Sequence, residues 1–414
     1  MGEPSFIRLS QGSFPGETPC IELPASKSIS NRLLIMAKLS GNRVNISNLS
    51  TANDTQLLQG ALQSTGEMYV GDAGTALRFG LAWAAMSPGS RRISGTDRLH
   101  QRPIKSLVEA LLSLGANINY LGEAGFAPLL VIGEPLIGGT IEVDGSLSSQ
   151  FVSAIMLIAP YFQHDCEIHL SAAQVSKPYI ALTAHLMQQA GAEIELRESS
   201  LRIAAKPYQA LSIEVEPDWS AAAFFYAFVA LKPGSQILLK GLKLDTAQGD
   251  RACVSLFSNF GVRSEFSPDG LLISHDGRFE KIQEFDFSGC PDLAQAAAVA
   301  AAGLGIQLNL KGLSTLRHKE TDRLAALQSE LAKLGVKTTS TQSTLALFTS
   351  VLETGITAIQ TFEDHRMAMA FAALSAVLPT IEIENSGVVK KSFPTFWDEF
   401  GKLGVEQLLN RDLI

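Results

Sequence analysis

Cationic and hydroxyl side chains recur in this sequence at the points where helices begin. Ser26-Lys27-Ser28-Ile29-Ser30-Asn31-Arg32 opens one predicted helix, and Ser28 and Arg32 are four residues apart on one face. The free N–H groups of a first helical turn, the helix dipole and two cations together make an anion site. Gly71-Asp72-Ala73-Gly74-Thr75-Ala76-Leu77-Arg78 repeats the logic: Gly74 admits a ligand close to the backbone, Thr75 is a candidate cap, and Arg78 lies one turn inside. Its glycine spacing fits neither a Walker A loop nor a dinucleotide fingerprint. Arg102 stands directly before Pro103, a residue suited to a first helical position, where a cation is unfavourable without an anion nearby. Ser148-Ser149-Gln150 supplies neutral hydrogen-bonding groups at another start, and Ser176-Lys177-Pro178-Tyr179 is similar, with Pro178 near the helix start.

The second half of the chain adds carboxylates to the cations. Arg317-His318-Lys319-Glu320-Thr321-Asp322-Arg323 is the densest charged stretch. Lys319 and Arg323 are expected on one helix face, with Glu320 pointing elsewhere around the turn. Asp364-His365-Arg366 opens a strongly apolar helix, and Lys391 precedes another. Asp292, ahead of a nearly all-apolar helix, reads either as its cap or as a carboxylate held at a site. Each feature alone fits an ordinary cap or a solvated charge. Their recurrence points to small anionic ligands.

The elements that carry these residues show their own regularity. An apolar residue, then Gly, then Ala or Val follows helix-like segments at Gly115, Gly191, Gly261, Gly335 and Gly404, at spacings of 76, 70, 74 and 69 residues. Glycine there suits the left-handed residue that ends a helix, and alternating, strand-like residues follow. Thr65-Gly66, 49 residues before Gly115, reads as an earlier relative whose unit has lost a hairpin's length of chain. The period is too long for a solenoid and fits a βαβαββ unit used six times, in an α/β or α+β class. A domain boundary is expected near Ile213–Pro217.

Composition bounds the partners. A net charge of −8 disfavours nucleic acid and anionic membranes while leaving a small anion possible through local charge. The apolar stretches Phe151–Phe162, Trp219–Leu231 and Leu293–Leu308 fall short of a membrane span of about 20 residues and read as buried helices. No signal peptide is evident, and Cys20, Cys166, Cys253 and Cys290 are too scattered for a disulfide framework or a zinc site. A cytoplasmic protein is therefore expected.

In order along the chain, these motifs closely resemble those of the 3-phosphoshikimate 1-carboxyvinyltransferases, the EPSP synthase family. The resemblance implies a two-domain enolpyruvyl transferase fold of βαβαββ units, three per domain, one of them shortened here. The domains would comprise residues 1–22 plus 217–414 and residues 23–216, with the active site in the cleft between them, closing on its substrates. It implies transfer of the enolpyruvyl group of phosphoenolpyruvate to the 5-hydroxyl of shikimate 3-phosphate by addition and elimination, in a monomer needing no metal or organic cofactor. By the same resemblance, Lys27, Ser28, Arg32, Ser148, Ser149, Gln150, Ser176, Asp292 and Lys319 would bind shikimate 3-phosphate. Lys27, Gly74, Arg102, Gln150, Arg323, Arg366 and Lys391 would bind phosphoenolpyruvate. Asp292 would accept the hydroxyl proton, Glu320 would protonate the methylene, and Lys27 would share in proton transfer. Asp72 and Thr315 depart from the family's usual Asn. The sister transferases acting on a UDP-amino sugar characteristically carry a loop cysteine or its aspartate replacement, and no cysteine lies in the loop after Asp97-Arg98. A non-catalytic or RNA-end-processing protein on related repeats fits less well, given the acidic total and the Asp292–Glu320 pair.

Overall fold

A computed structural model describes residues 6–144, 148–170, 177–278 and 282–409. The chain forms two compact units, one of Met1–Pro24 with Pro217–Ile414 and the other of Ala25–Glu216.

In the second of these, two complete βαβαββ subunits follow one another. The first runs through strand Glu67–Tyr69, helix Gly74–Met86, strand Gly89–Ser94, helix Lys105–Ser113 and the strands Asn117–Tyr120 and Leu129–Gly133. The second runs from strand Gly139–Val143 through helices Ser149–Ile158 and Lys177–Gln189 to the hairpin Ile194–Leu196 and Ser200–Ile203. Each closes a four-stranded sheet. The remaining subunit is short: helices Lys27–Leu39 and Asn53–Ala61 accompany only two strands, Val44–Ser47 paired in parallel with Leu211–Glu214. Its missing hairpin is the shortening expected around Thr65–Gly71.

The other unit holds three four-stranded sheets, each again of βαβαββ type. Two of them borrow strands from the start of the chain: Phe6–Ser10 pairs with Thr380–Glu384 and Glu406–Leu409, and Cys20–Ile21 with Gln236–Lys240. Three helices, Trp219–Leu231, Ala294–Gly303 and His365–Ala372, pack on one another at its centre. Every residue of Trp219–Leu231 is buried, so the long apolar runs are core helices. Among the described residues no helix is long and apolar enough to cross a membrane.

The five repeat glycines all adopt the left-handed conformation, with φ of 94° at Gly115, 80° at Gly191, 84° at Gly261, 79° at Gly335 and 77° at Gly404. Gly66 is absent from the left-handed set. The expectation that it is their relative is therefore corrected: the helix before it leads directly into the next subunit's first strand, so no hairpin requires that turn.

Candidate active site

Each unit gathers polar residues at the starts of its central helices, where backbone N–H groups lack partners within the helix. In the Ala25–Glu216 unit the three helices Lys27–Leu39, Gly74–Met86 and Ser149–Ile158 pack on one another. Lys27 pairs with the buried Asp54 at 3.0 Å. Arg32 is buried, and its hydrogen-bond partners among the described residues are all neutral. It donates to Thr183 Oγ1 at 2.7 Å, the Ser28 carbonyl at 2.8 Å, the Tyr179 carbonyl at 3.2 Å and Ser153 Oγ at 3.4 Å, and its guanidinium lies 5.5 Å from the Phe79 ring centre. Burial pushes its pKa down to about 10. A buried cation whose described partners are neutral is a strong place for an incoming anion.

Arg102 is buried and donates from Nη1 to the Asp72 carbonyl at 3.3 Å. Its guanidinium lies against Gly74: a Cβ at that position would meet Arg102 Cζ, Nη1 and Nη2 at 2.6 Å. Helix Lys105–Ser113 begins after Ile104, so Pro103 sits ahead of the helix instead of at its first position. Helix Gly74–Met86 has Ala73 at its cap with no side-chain bond. Thr75 is therefore no cap; its hydroxyl accepts from Gln150 Nε2 at 3.1 Å. Ser148 does cap its helix, accepting from the Gln150 N–H at 3.2 Å, and Ser149 is buried in the first turn. Ser176 lies outside the described residues.

The other unit centres on Arg323, which is 1% exposed. Its Nε donates to Asp364 Oδ2 at 2.7 Å, Nη1 to Asp292 Oδ1 at 2.9 Å and Nη2 to Glu320 Oε2 at 2.9 Å. Burial works against its charge, but Asp364, Glu320 and Asp292 outweigh that and raise its pKa further. Asp292 also meets Arg366 Nη2 at 3.1 Å and Lys319 Nζ at 3.6 Å, and its carbonyl accepts from Arg366 Nη1 at 3.1 Å. Burial opposes ionisation of Asp292, yet Arg366, Lys319 and Arg323 together hold its carboxyl well below the usual carboxylate range. Burial lowers the Lys319 pKa, against the pull of Asp292. Lys391 Nζ stands 3.8 Å from Glu320 Oε1, and Arg366 also donates to Ser220 Oγ at 3.0 Å. Asp364 caps helix His365–Ala372 through the Arg366 N–H at 2.8 Å.

Two readings of the sequence are decided here. Asp292 is no helix cap: helix Ala294–Gly303 has Leu293 at that position without a side-chain bond, so the carboxylate is left for the cluster. Lys319 and Arg323 do not share a helix face. A 3-10 turn, Ser314–His318, ends before Lys319, and the next helix starts at Arg323 with Asp322 as its cap. The intervening residues are not helical, and Glu320 turns into the cluster beside Arg323. Periodicity could not reveal this; the cap signal at Asp322, placed after Lys319, was the available clue.

The cluster brings together three carboxylates, Asp292, Glu320 and Asp364, with four cations, Lys319, Arg323, Arg366 and Lys391. No group of His, Cys, Asp and Glu suited to a metal ion occurs among the described residues. Residues that the sequence reading did not assign to a site also contribute, since Asp54, Thr183 and Asp364 each fix a cation; Arg78, read by sequence as a site cation, bonds Gln150.

Comparison with known proteins shows the family. Residues 62–400 match the family EPSP synthase (3-phosphoshikimate 1-carboxyvinyltransferase). A 3-phosphoshikimate 1-carboxyvinyltransferase of Bacteroides fragilis is 40% identical over 388 residues, covering 93% of this chain and 95% of its own. One from Sulfurovum sp. is 34% identical, covering 91% and 95%. Among solved structures, an EPSP synthase from Acinetobacter baumannii aligns with a TM-score of 0.78 at 18% identity, over 98% of this chain and 100% of that one. The enolpyruvyl transferase NikO from Streptomyces tendae aligns at 0.75 and 14%, over 98% and 99%. At those identities the two structures speak for the fold alone.

Proposed function

This chain belongs to the EPSP synthase family, and from that premise we propose how its residues carry out the 3-phosphoshikimate 1-carboxyvinyltransferase reaction. Phosphoenolpyruvate and shikimate 3-phosphate are the substrates, and the products are the 5-enolpyruvyl ether and inorganic phosphate.

One observation carries the assignment of the chemistry. Two carboxylates, Asp292 and Glu320, are held by two different nitrogens of one buried guanidinium, Arg323 Nη1 and Nη2, each at 2.9 Å. Addition of a hydroxyl across a vinyl double bond needs a base at the hydroxyl and an acid at the methylene carbon, at separate places at the same moment. A rigid, planar guanidinium fixes two such groups side by side without letting them exchange positions.

Asp292 is the acceptor. Kept ionised by Arg366, Lys319 and Arg323, it is in the right state to accept from the shikimate 5-hydroxyl, but a carboxylate so well paired is a poor base. The substrate anions correct this. When the carboxylate and phosphate of phosphoenolpyruvate engage Arg323, Arg366 and Lys391, those cations are shared, and the Asp292 pKa rises toward the range useful for proton transfer. Guanidinium forks suit such groups because they bind carboxylate and phosphate in two-point fashion. Glu320, whose pairing with Arg323 and Lys391 favours the carboxylate, takes up a proton from solvent once the substrate anions share those cations, and delivers it to the methylene, giving a methyl-bearing tetrahedral intermediate. Loss of phosphate with return of one methyl proton to the Glu320 carboxylate then restores the vinyl group. Lys27, held by Asp54, shares in proton transfer and meets both substrates. Arg32 with Ser28, Ser148, Ser149, Ser176 and Lys319 holds shikimate 3-phosphate, and Gly74, Arg102 and Gln150 complete the phosphoenolpyruvate site.

The test is product analysis with purified protein. Phosphoenolpyruvate and shikimate 3-phosphate are expected to give one phosphate per carboxyvinyl ether formed, by phosphate assay and mass spectrometry. Turnover with a UDP-amino sugar as the only accepted hydroxyl donor would refute the assignment.

A further inference from the structure

Gln150 poses a problem that a charged ligand does not. A primary amide has two ends of nearly identical shape and opposite bonding sense, one accepting and one donating. A glutamine that serves two substrates must be kept from flipping. The structure shows how. Gln150 Oε1 accepts from Arg78 Nη1 at 2.9 Å, and Gln150 Nε2 donates to Thr75 Oγ1 at 3.1 Å. A guanidinium can only donate, so a flipped amide would set N–H against N–H. The hydroxyl of Thr75 can donate or accept and follows whichever sense Arg78 imposes. Both partners lie in the first turns of helix Gly74–Met86, three residues apart and so on one face.

Arg78 is itself tightly placed. It is 3% exposed, its guanidinium lies 5.3 Å from the Phe151 ring centre, and Nη2 approaches the Pro103 carbonyl at 3.5 Å. By sequence it was grouped with the cations that meet substrate anions. We propose that Arg78 and Thr75 are instead positioning residues, which lock the Gln150 amide in one donor–acceptor sense. One acceptor position on Oε1 and one donor position on Nε2 remain for the substrates. The inference rests on the reading of Gln150 as a residue that touches both of them.

A double-mutant cycle tests it, using the full-length protein with phosphoenolpyruvate and shikimate 3-phosphate each varied in turn. Arg78→Met keeps the apolar stem against Phe151 and removes the donor. The loss of a charge-assisted bond is expected to raise KM for both substrates by about tenfold or more. Gln150→Ala should do the same, and the double variant should be no worse than Gln150→Ala alone, because Arg78 then has nothing to orient. Thr75→Val should give a smaller rise in both KM values, and Thr75→Ser, which keeps the hydroxyl, should return them to the wild-type level. This pair carries the test should Arg78→Met fold poorly. Additive losses in the cycle, a KM change confined to phosphoenolpyruvate, or no change in either KM would overturn the proposal and make Arg78 a direct anion ligand or a bystander. An active wild type with additive losses defeats only this inference. A wild type inactive with shikimate 3-phosphate defeats the functional reading and this inference with it.

Discussion

Gly74→Ala is the perturbation whose consequence the structure determines most narrowly. The added Cβ would stand 2.6 Å from three atoms of the Arg102 guanidinium. Ordinary contact between such atoms needs about 3.5 Å or more, so the guanidinium must retreat by about 1 Å. The backbone is not the obstacle. Gly74 is the first residue of a helix and lies outside the left-handed set, so alanine fits its conformation. Inside a helix alanine is favoured over glycine by up to about 1 kcal/mol, and at a first position by less. Folding should therefore be unchanged or slightly improved, because what moves is the far end of a flexible side chain. Binding should suffer. A displacement of about 1 Å in a positioning cation is worth up to roughly a hundredfold. We expect KM for phosphoenolpyruvate to rise between tenfold and a hundredfold, with KM for shikimate 3-phosphate and the melting temperature close to wild type. Steady-state kinetics with each substrate varied, beside thermal unfolding, reads this directly. An unchanged KM for phosphoenolpyruvate, or an equal rise for both substrates, would refute the placement of Arg102 at that ligand.

Three further predictions follow from the Arg323 cluster. Glu320→Gln keeps an oxygen to accept from Arg323 while losing the proton, so substrate binding measured by calorimetry should persist while kcat falls by about two to four orders of magnitude; equal loss of binding would contradict the acid role. Asp364→Ala strips the buried Arg323 of its 2.7 Å partner and uncaps a core helix, and chemical denaturation should show a loss of about 3–5 kcal/mol. Asp292 has a folded pKa depressed below its unfolded value, so its contribution to stability is present above the unfolded pKa of about 3.9 and disappears as pH falls through the folded pKa. The melting-temperature gap between wild type and Asp292→Asn should accordingly stay level from neutral pH down to about 4 and close only below it; a gap that closes already between pH 7 and 5 would show a carboxylate with a raised pKa.

The architecture was legible because it rests on local physics. A residue that must turn left-handed after a helix is almost obliged to be glycine, so Gly115, Gly191, Gly261, Gly335 and Gly404 announced the repeat. Gly66 misled because glycine permits that turn without requiring it. The cationic residues were legible as residue types at helix starts, but their partners were not. Asp54 and Lys27 are 27 positions apart, and Asp364 and Arg323 are 41 apart, and only the tertiary fold unites them. The helical register imposed on Lys319–Arg323 failed because the Asp322 cap begins the helix later than charge spacing implied. Arg78 looked like every other site cation, since sequence cannot distinguish a guanidinium that faces a ligand from one that faces a glutamine.

The central claim is addition followed by elimination, with Glu320 supplying the methylene proton. It is tested most directly by running the reaction in deuterium oxide and examining the vinyl group of the product by mass spectrometry and NMR. Glu320 exchanges its proton with solvent, so a methyl group formed in the intermediate carries deuterium, and elimination leaves deuterium in the product vinyl position. The account predicts that label in wild type, with its rate of appearance sharply reduced in Glu320→Gln. Full turnover giving an unlabelled vinyl group would contradict it.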